Sequence, residues 1–393
     1  MYNRNVMKNQ NIHIFIFIDA LGWEIVRDRQ FLDDVLPWRY PVDMQFGYSS
    51  TALPTILTGE PPTVHKHLSF YYYAPERSPF RVLRRLKFAL RPSGVFNHWR
   101  VRHVLSKLFA RIYDFTGYFE MSAMPFDRLP YFDYMEKTDI FAPGGLAPVK
   151  NLADELTELR IPYHISDWRW SESRNFAGVQ QQIEEGRIRF AFLYSATLDR
   201  LLHEGPPHRA RVKELMKWYE TEIRRLIEAV KRKYDAYTLH VMSDHGMTPL
   251  TGSCDIRSMA EPPGLRFGKD FAAVYDSTMA RFWFFNAAAR EEITARLNLI
   301  RHAHLLTEEE KKRYRIDFAD RMYGEEILLL DPGWLIAPSD MAKGKFYGMH
   351  GYAPEHPDSR ACFLSSEPQT TPPLWVGDYH TLMRRKMESI ADE

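Results

Sequence analysis

The sequence has few cysteines, no long hydrophobic run and no excess of either charge. Its most continuous apolar stretch, Ile12 to Ile18, is seven residues long with His13 inside it, whereas roughly 20 residues are needed to cross a bilayer. The polar MYNRNVMKNQ before it and the lack of a small-residue cleavage site after it argue against a secretory signal. Cys254 and Cys362, 108 positions apart, make neither a disulfide framework nor a zinc-finger spacing. A reducing, cytoplasmic setting without a membrane span is therefore expected. The 52 Lys+Arg against 51 Asp+Glu leave a net charge of +1, which excludes a disordered tail, a collagenous chain and a globally basic nucleic-acid coat. No internal repeat or low-complexity tract is present. A chain of 393 residues suffices for two domains or for one large α/β domain with insertions.

What is present is an alternation of short apolar runs and helical stretches. Ile12 to Ile18 lacks polar alternation, as expected of a strand buried on both faces in a parallel sheet. Comparable runs are Pro162 to Ser166, Ile188 to Tyr194, Tyr237 to Met242, Met279 to Phe285 and Ile327 to Leu330. Arg209 to Lys233 carries apolar positions at helical spacing, with Lys/Glu pairs on the other face. Val149 to Leu159 reads as a further helix, and Thr381 to Glu393 as a short, charged, fraying one. The fold class implied is α/β, with a mostly parallel central sheet flanked by helices. The stretch 61–148 breaks this rhythm and reads as a helical cap or specificity insertion.

In open parallel sheets ligands bind beyond the carboxyl ends of the strands, and chemistry-bearing residues follow several of these runs. Asp19 ends the first. Asp199 and His203 follow Ile188 to Tyr194 at i, i+4, on one helical face. Asp244 and His245 follow the run ending at Met242, and His350 sits in Gly-Met-His-Gly-Tyr. Singly, each is more often a cap or a surface pair. Together, three carboxylates and three imidazoles suit two adjacent divalent ions, zinc first and manganese second. Such a pair supports in-line displacement at phosphorus. The hydroxyl cluster Ser49-Ser50-Thr51, opening a helical stretch that ends at Thr58-Gly59, supplies a nucleophile near a helix N-terminus.

Asp19, the hydroxyl cluster before Thr58-Gly59, Asp199-x-x-x-His203, Asp244-His245-Gly246 and His350-Gly351-Tyr352 occur in an order that resembles the alkaline phosphatase superfamily. The arrangement is most similar to its type I phosphodiesterase/nucleotide pyrophosphatase branch. The matching motifs run from Ile12 to about Leu364, so the resemblance implies one catalytic domain over residues 1–393. It also implies that Ser49, nine positions before Thr58, is the nucleophile, with Ser50 and Thr51 as alternatives. One ion would be held by Asp199, His203 and His350, the other by Asp19, Asp244 and His245. The resemblance departs at Ala52, where the family often has an Asn that holds a phosphoryl oxygen, so this contact falls to a backbone N–H such as that of Ser50. Lys66 stands for Gly in Pro62-Thr63-Val64-His65-Lys66, and His203-Glu204-Gly205-Pro206 is one residue short.

The function implied is metal-dependent hydrolysis of a phosphodiester or pyrophosphate through a phosphoseryl intermediate. The alternatives are a phosphomonoesterase or phosphoryl transferase of the same superfamily, or a non-catalytic binding protein. A sulfatase is disfavoured because Ser49-Ser50-Thr51-Ala52-Leu53 lacks the Pro and Arg of the sulfatase context. From Arg77 to Arg111 there are ten Lys/Arg and no Asp or Glu, so removing this segment takes the net charge from +1 to −9. Phe80, Phe88, Phe96, Trp99 and Phe109 are interleaved, and Pro92-Ser93-Gly94 divides the segment into two helices. It reads as a solvated face, as a cap for an anionic substrate, or as a peripheral contact with anionic lipid. The expected partner is a phosphate-containing small molecule or lipid-linked substrate, not a nucleic-acid polymer. The nine Trp, Trp168 and Trp170 among them, read as core or interface residues, and His65, His67, His208 and His240 as structural or surface residues. Arg281 is placed to reach the site from the end of its strand.

Overall fold

The computed structural model describes residues 10–86, 99–113, 115–116, 123–205, 209–341 and 344–393. Six strands form the central sheet: β1 (Asn11–Ile18), β2 (Trp38–Val42), β3 (Tyr163–Ile165), β4 (Phe190–Ser195), β5 (Ala236–Met242) and β6 (Ala361–Ser365). Their spatial order is β2-β6-β5-β1-β4-β3. β1 pairs in parallel with β4 and β5, and β4 with β3, while β6 runs antiparallel to both β5 and β2. The expected mostly parallel sheet is present, with one reversed strand.

β1 shows why its sequence is apolar throughout. Ile12, Ile14, Ile16 and Ile18 enter one core and Phe15 and Phe17 the other, because successive side chains of a strand point to opposite faces. The isoleucine face is covered by the helices Glu172–Glu185 and Arg209–Lys233, the latter burying Met216, Tyr219, Ile223, Leu226, Ile227 and Val230. Each such side chain contributes roughly 1.5–3 kcal/mol on burial. The phenylalanine face packs on the helices Ser49–Thr58 and Leu152–Glu158 and on the C-terminal helix Asp378–Ala391. That last helix is not the fraying element its charge suggested. Tyr379, Leu382, Met383, Met387 and Ile390 are buried under the sheet, and its charges occupy the outer face.

Two of the apolar runs lie elsewhere. Met279–Phe284 and Glu326–Leu330 belong to a second, four-stranded sheet with Phe271–Tyr275 and Ala303–Leu305, all of its pairs antiparallel. Their lack of alternation reflects burial on both faces, not parallel pairing. Ala272, Val274 and Trp283 pack on Tyr71, Phe80, Phe109, Phe132 and Tyr134 from the 61–148 stretch, whereas Phe271, Ala273 and Phe282 pack on Ile293 and Leu297. The 61–148 stretch thus rests on the second sheet through the antiparallel strand pair Tyr71–Tyr73/Phe132–Tyr134 and the helix Trp99–Ile112. The expected break at Pro92-Ser93-Gly94, with Lys87, Arg91, Phe88 and Phe96, lies outside the described residues; a 3-10 helix, Pro79–Leu86, precedes it.

Arg281 does not reach the functional site. It is fully buried and bonds Asp276 through Nε at 2.7 Å, the Tyr71 carbonyl at 2.8 Å and Ser69 Oγ at 3.1 Å, fastening the second sheet to the start of the 61–148 stretch. Removing one member of a buried pair leaves the other charge uncompensated. Arg281→Ala is therefore expected to cost about 3–5 kcal/mol in urea unfolding, and a change under about 1 kcal/mol would show the pair to be dispensable.

Candidate active site

The six candidate ligands converge at the carboxyl edge of the central sheet. Asp19 follows β1, and its N–H donates to the Ser195 carbonyl at the end of β4. Asp199 and His203 lie one turn apart in the helix Thr197–Glu204 that follows β4, and Asp244 and His245 follow β5. His350 follows the two-residue strand Gly348–Met349 and lies in the segment leading into β6. Because β6 is reversed, the chain enters it from the edge where its neighbours end, so residues before β6 meet residues after β1, β4 and β5.

Asp199, His203 and His350 form one group and Asp19, Asp244 and His245 another, with the candidate ligand atoms of each within 4.8 Å of one another. In the first, Asp199 Oδ1 lies 3.3 Å from His203 Nε2 and 3.7 Å from His350 Nε2. In the second, His245 Nε2 lies 3.2 Å from Asp244 Oδ2 and 3.6 Å from Asp19 Oδ1. The rings of His245 and His350 stack with centroids 3.7 Å apart, joining the groups. Backbone carbonyls set the tautomers: His203 Nδ1 donates to Gly348 at 2.8 Å and His245 Nδ1 to Gly246 at 2.9 Å. Each Nε2 is thereby left with its lone pair toward the carboxylates, the arrangement that orients metal-binding histidines.

Burial, with Asp244 and Asp199 nearby, raises the Asp19 carboxyl well above its ordinary value, and burial raises Asp244 as well. Burial pushes the Asp199 carboxyl the same way, but His203, then His350 and His245, outweigh it and hold it below its ordinary value. Burial and the neighbouring His245 push the His350 imidazole well down. Among the described residues, no Lys or Arg forms an ion pair with these three carboxylates; their ionic contacts are to histidines. Asp199 Oδ1, Asp244 Oδ2 and His350 Nδ1 are buried without hydrogen-bond partners. Unpaired buried charge of this kind is unfavourable without a cation, so the donor set fits divalent ions.

Ser49 begins the helix Ser49–Thr58. Its Oγ lies 3.0 Å from His245 Nε2 and 3.4 Å from Asp19 Oδ1. The neighbouring hydroxyls are placed differently. Thr51 is fully buried and donates to the Leu68 carbonyl at 2.6 Å while accepting from the Tyr48 N–H at 3.3 Å, so it caps the helix. Ser50 lines the cavity, and its Oγ is buried without a partner. The first N–H groups of a helix have no intrahelical acceptor, which leaves those of Ser49 and Ser50 available to an anion. Tight packing fixes this start. Gly47 has φ +124°, and a Cβ there would overlap Thr51 Oγ1. Gly351, beside His350, has φ +88°, and a Cβ there would lie 2.8 Å from Tyr48 Cε1.

The site opens into a cavity of about 580 Å³. Besides Ser49, Ser50 and the ligands, it is walled by Phe70, Glu136 and Phe141 from the 61–148 stretch, and by Trp168, Tyr194 and Phe346. Trp168 packs against the phenylalanine-face core as expected and also lines the cavity, whereas Trp170 is exposed. No sequence pattern marks these wall residues, because they come from loops that meet only in three dimensions. His65 bonds Thr55 Oγ1 at 2.9 Å inside the fold, His67 is buried, and His240 is stacked between Phe15 and Phe363. All three are structural. His208 and Pro206 lie outside the described residues.

A family model for type I phosphodiesterase/nucleotide pyrophosphatase matches residues 47–353. Among solved structures, human ectonucleotide pyrophosphatase/phosphodiesterase 5 superposes with a TM-score of 0.66 at 12% identity, covering 96% of this chain and 95% of that one. An inactive variant of its murine counterpart, in complex with AMP, gives 0.66 at 15% identity over 97% and 95% of the two chains. At these identities the likeness is one of fold. No curated protein matches the chain in sequence.

Elemental analysis of zinc-reconstituted protein is expected to find two ions per chain, and one after Asp199→Ala or Asp244→Ala. Each filled site should add about 2.7 kcal/mol of stability at a hundredfold excess over its Kd. Wild-type protein that takes up one ion or none would contradict the two-group geometry.

Proposed function

The chain belongs to the type I phosphodiesterase/nucleotide pyrophosphatase family and is a hydrolase of phosphoric ester bonds; from that premise we propose that it cleaves a phosphodiester or pyrophosphate through a phosphoseryl intermediate at Ser49. The observation that carries this reading is the position of Ser49 Oγ, 3.0 Å from His245 Nε2 and 3.4 Å from Asp19 Oδ1 at a helix N-terminus. The family is metal-dependent, and Asp199, His203 and His350, with Asp19, Asp244 and His245, are the residues that would hold two ions, zinc first and manganese second. Ions there would supply Lewis-acid stabilisation of charge on the phosphoryl and leaving oxygens.

The chain's own groups account for the rest. Ser49 Oγ, its proton released to solvent, attacks phosphorus and displaces the leaving alcohol or phosphate oxygen, which takes up a proton from water; a water molecule then attacks the phosphoseryl ester, releasing the phosphorylated product and restoring the Ser49 hydroxyl. The N–H of Ser50 is available to a non-bridging oxygen, standing in for the side chain that Ala52 lacks. The aromatic wall accommodates an organic group esterified to the phosphate, which favours a diester over a bare monoester. The AMP bound by the murine neighbour supports a phosphate-containing small molecule as substrate. Free Cys254 and Cys362 support a reducing, cytoplasmic location.

A second surface favours contact with anionic lipid. On the helix Trp99–Ile112, Val104, Leu108 and Ile112 recur every four residues and are 64%, 49% and 59% exposed. Arg100, Lys107 and Arg111 are exposed beside them. Arg102 is turned inward instead, stacking 4.3 Å above the Phe126 ring and donating to the Met124 carbonyl. An apolar stripe flanked by basic residues suits an anionic membrane surface.

Ser49→Ala is expected to lower kcat on bis(4-nitrophenyl) phosphate by at least about a thousandfold, with metal content unchanged. Retained turnover would move the nucleophile to Ser50. Wild-type protein should sediment with phosphatidylserine vesicles at low salt, release at high salt, and lose binding in Val104→Glu/Leu108→Glu. Absence of binding at low salt would remove the membrane contact.

A further inference from the structure

Beyond the candidate ligands, three acidic residues line the cavity: Glu136, Asp139 and Glu204. Asp139 is paired with Arg169 at 2.9 Å and Glu204 with Arg200 at 3.2 Å. Glu136 differs. Its bond to another side chain is accepted from the Tyr134 hydroxyl at 3.3 Å, and it forms no ion pair among the described residues. Burial lifts its carboxyl to about 7, against the opposing effect of the Tyr134 hydrogen bond.

The surroundings of Glu136 belong to the aromatic wall. The Tyr134 ring lies 5.8 Å from that of Phe70, and the Met135 N–H donates to the Phe70 carbonyl at 2.8 Å. The Thr116 N–H donates to the Glu136 carbonyl at 2.8 Å, fixing the local backbone. A carboxylate beside the bound phosphate would repel it. Glu136 lines the cavity together with the aromatic residues Phe70, Phe141 and Trp168, the wall assigned above to the organic group that the phosphate carries. A half-desolvated acceptor there is unfavourable until a donor fills it.

We propose that Glu136 is a specificity residue that accepts a hydrogen bond from a donor group, hydroxyl or ammonium, on the alcohol portion of the substrate. This rests on the phosphodiesterase reading above. A site built to bond a polar group discriminates strongly against analogues that lack it.

Three esters of 4-nitrophenyl phosphate test this with wild type, Glu136→Leu, Glu136→Gln and Tyr134→Phe. They are the bis-nitrophenyl diester, which has no donor, the thymidine 5′-ester, which has a 3′-hydroxyl, and the ethanolamine ester, which has an ammonium. Glu136→Leu is expected to lower kcat/KM at least tenfold on a donor-bearing ester, mainly through KM, while the bis-nitrophenyl diester stays within about twofold. Tyr134→Phe should shift the same ester in the same direction by a smaller factor. Glu136→Gln separates the two sources: it retains most activity on a hydroxyl ester and loses it on an ammonium ester. Equal losses on all three esters, or no loss on any, would overturn the proposal. If wild type hydrolyses none of them, the phosphodiesterase reading fails. Calorimetric binding of the thymidine and ethanolamine esters to metal-loaded wild type and Glu136→Leu then decides Glu136: weaker binding by the variant supports it, and equal binding overturns it.

Discussion

Three carboxylates buried side by side are the constraint on which this molecule is organised. Asp19, Asp199 and Asp244 meet where three parallel strands end, and among the described residues their ionic contacts are to imidazoles. Like charges in a low-dielectric setting repel, which is why burial and mutual proximity raise Asp19. The arrangement is reasonable only as a receptor for positive charge. The fold supports it by keeping the ligand orientations independent of the ions, since carbonyls of Gly348 and Gly246 hold the His203 and His245 rings.

The rest of the chain is arranged around that edge. The reversed strand β6 starts at the edge from which its neighbours exit, so the segment leading into it places His350 there. The second sheet does not contribute a ligand. It carries the 61–148 stretch, fastened by the bonds of buried Arg281 to the Tyr71 carbonyl and Ser69 Oγ and by the aromatic core around Phe80 and Trp283. That stretch in turn provides Phe70, Glu136 and Phe141 to the cavity wall. Residues from the central sheet's edge and from the 61–148 stretch thus line a single cavity.

Much of the site was legible in the sequence because its residues follow local rules. Asp199 and His203 share a helical face at i, i+4, Asp19 and Asp244 end apolar runs, and Ser49 opens a helix. The ambiguity among Ser49, Ser50 and Thr51 is one of spacing, and the three hydroxyls differ in their surroundings: Thr51 is occupied by the Leu68 carbonyl, whereas Ser49 faces His245. Other features were not legible. Met279–Phe284 and Glu326–Leu330 are as apolar as a parallel strand because a sheet covered on both faces looks the same in either direction. The charges of Asp378–Ala391 masked its buried face, and Glu136 and Trp168 acquire their setting through contacts between distant loops. The separation behind the near-neutral net charge, by contrast, was legible in the ten Lys/Arg and no acids of 77–111, and Arg100, Lys107 and Arg111 are exposed on the helix Trp99–Ile112.

Anomalous diffraction from crystals of the zinc-loaded protein tests the two-group account most directly. The account requires two peaks, one among Asp199, His203 and His350 and one among Asp19, Asp244 and His245, with Ser49 Oγ facing both. A single peak, or zinc bound away from these residues, would contradict it.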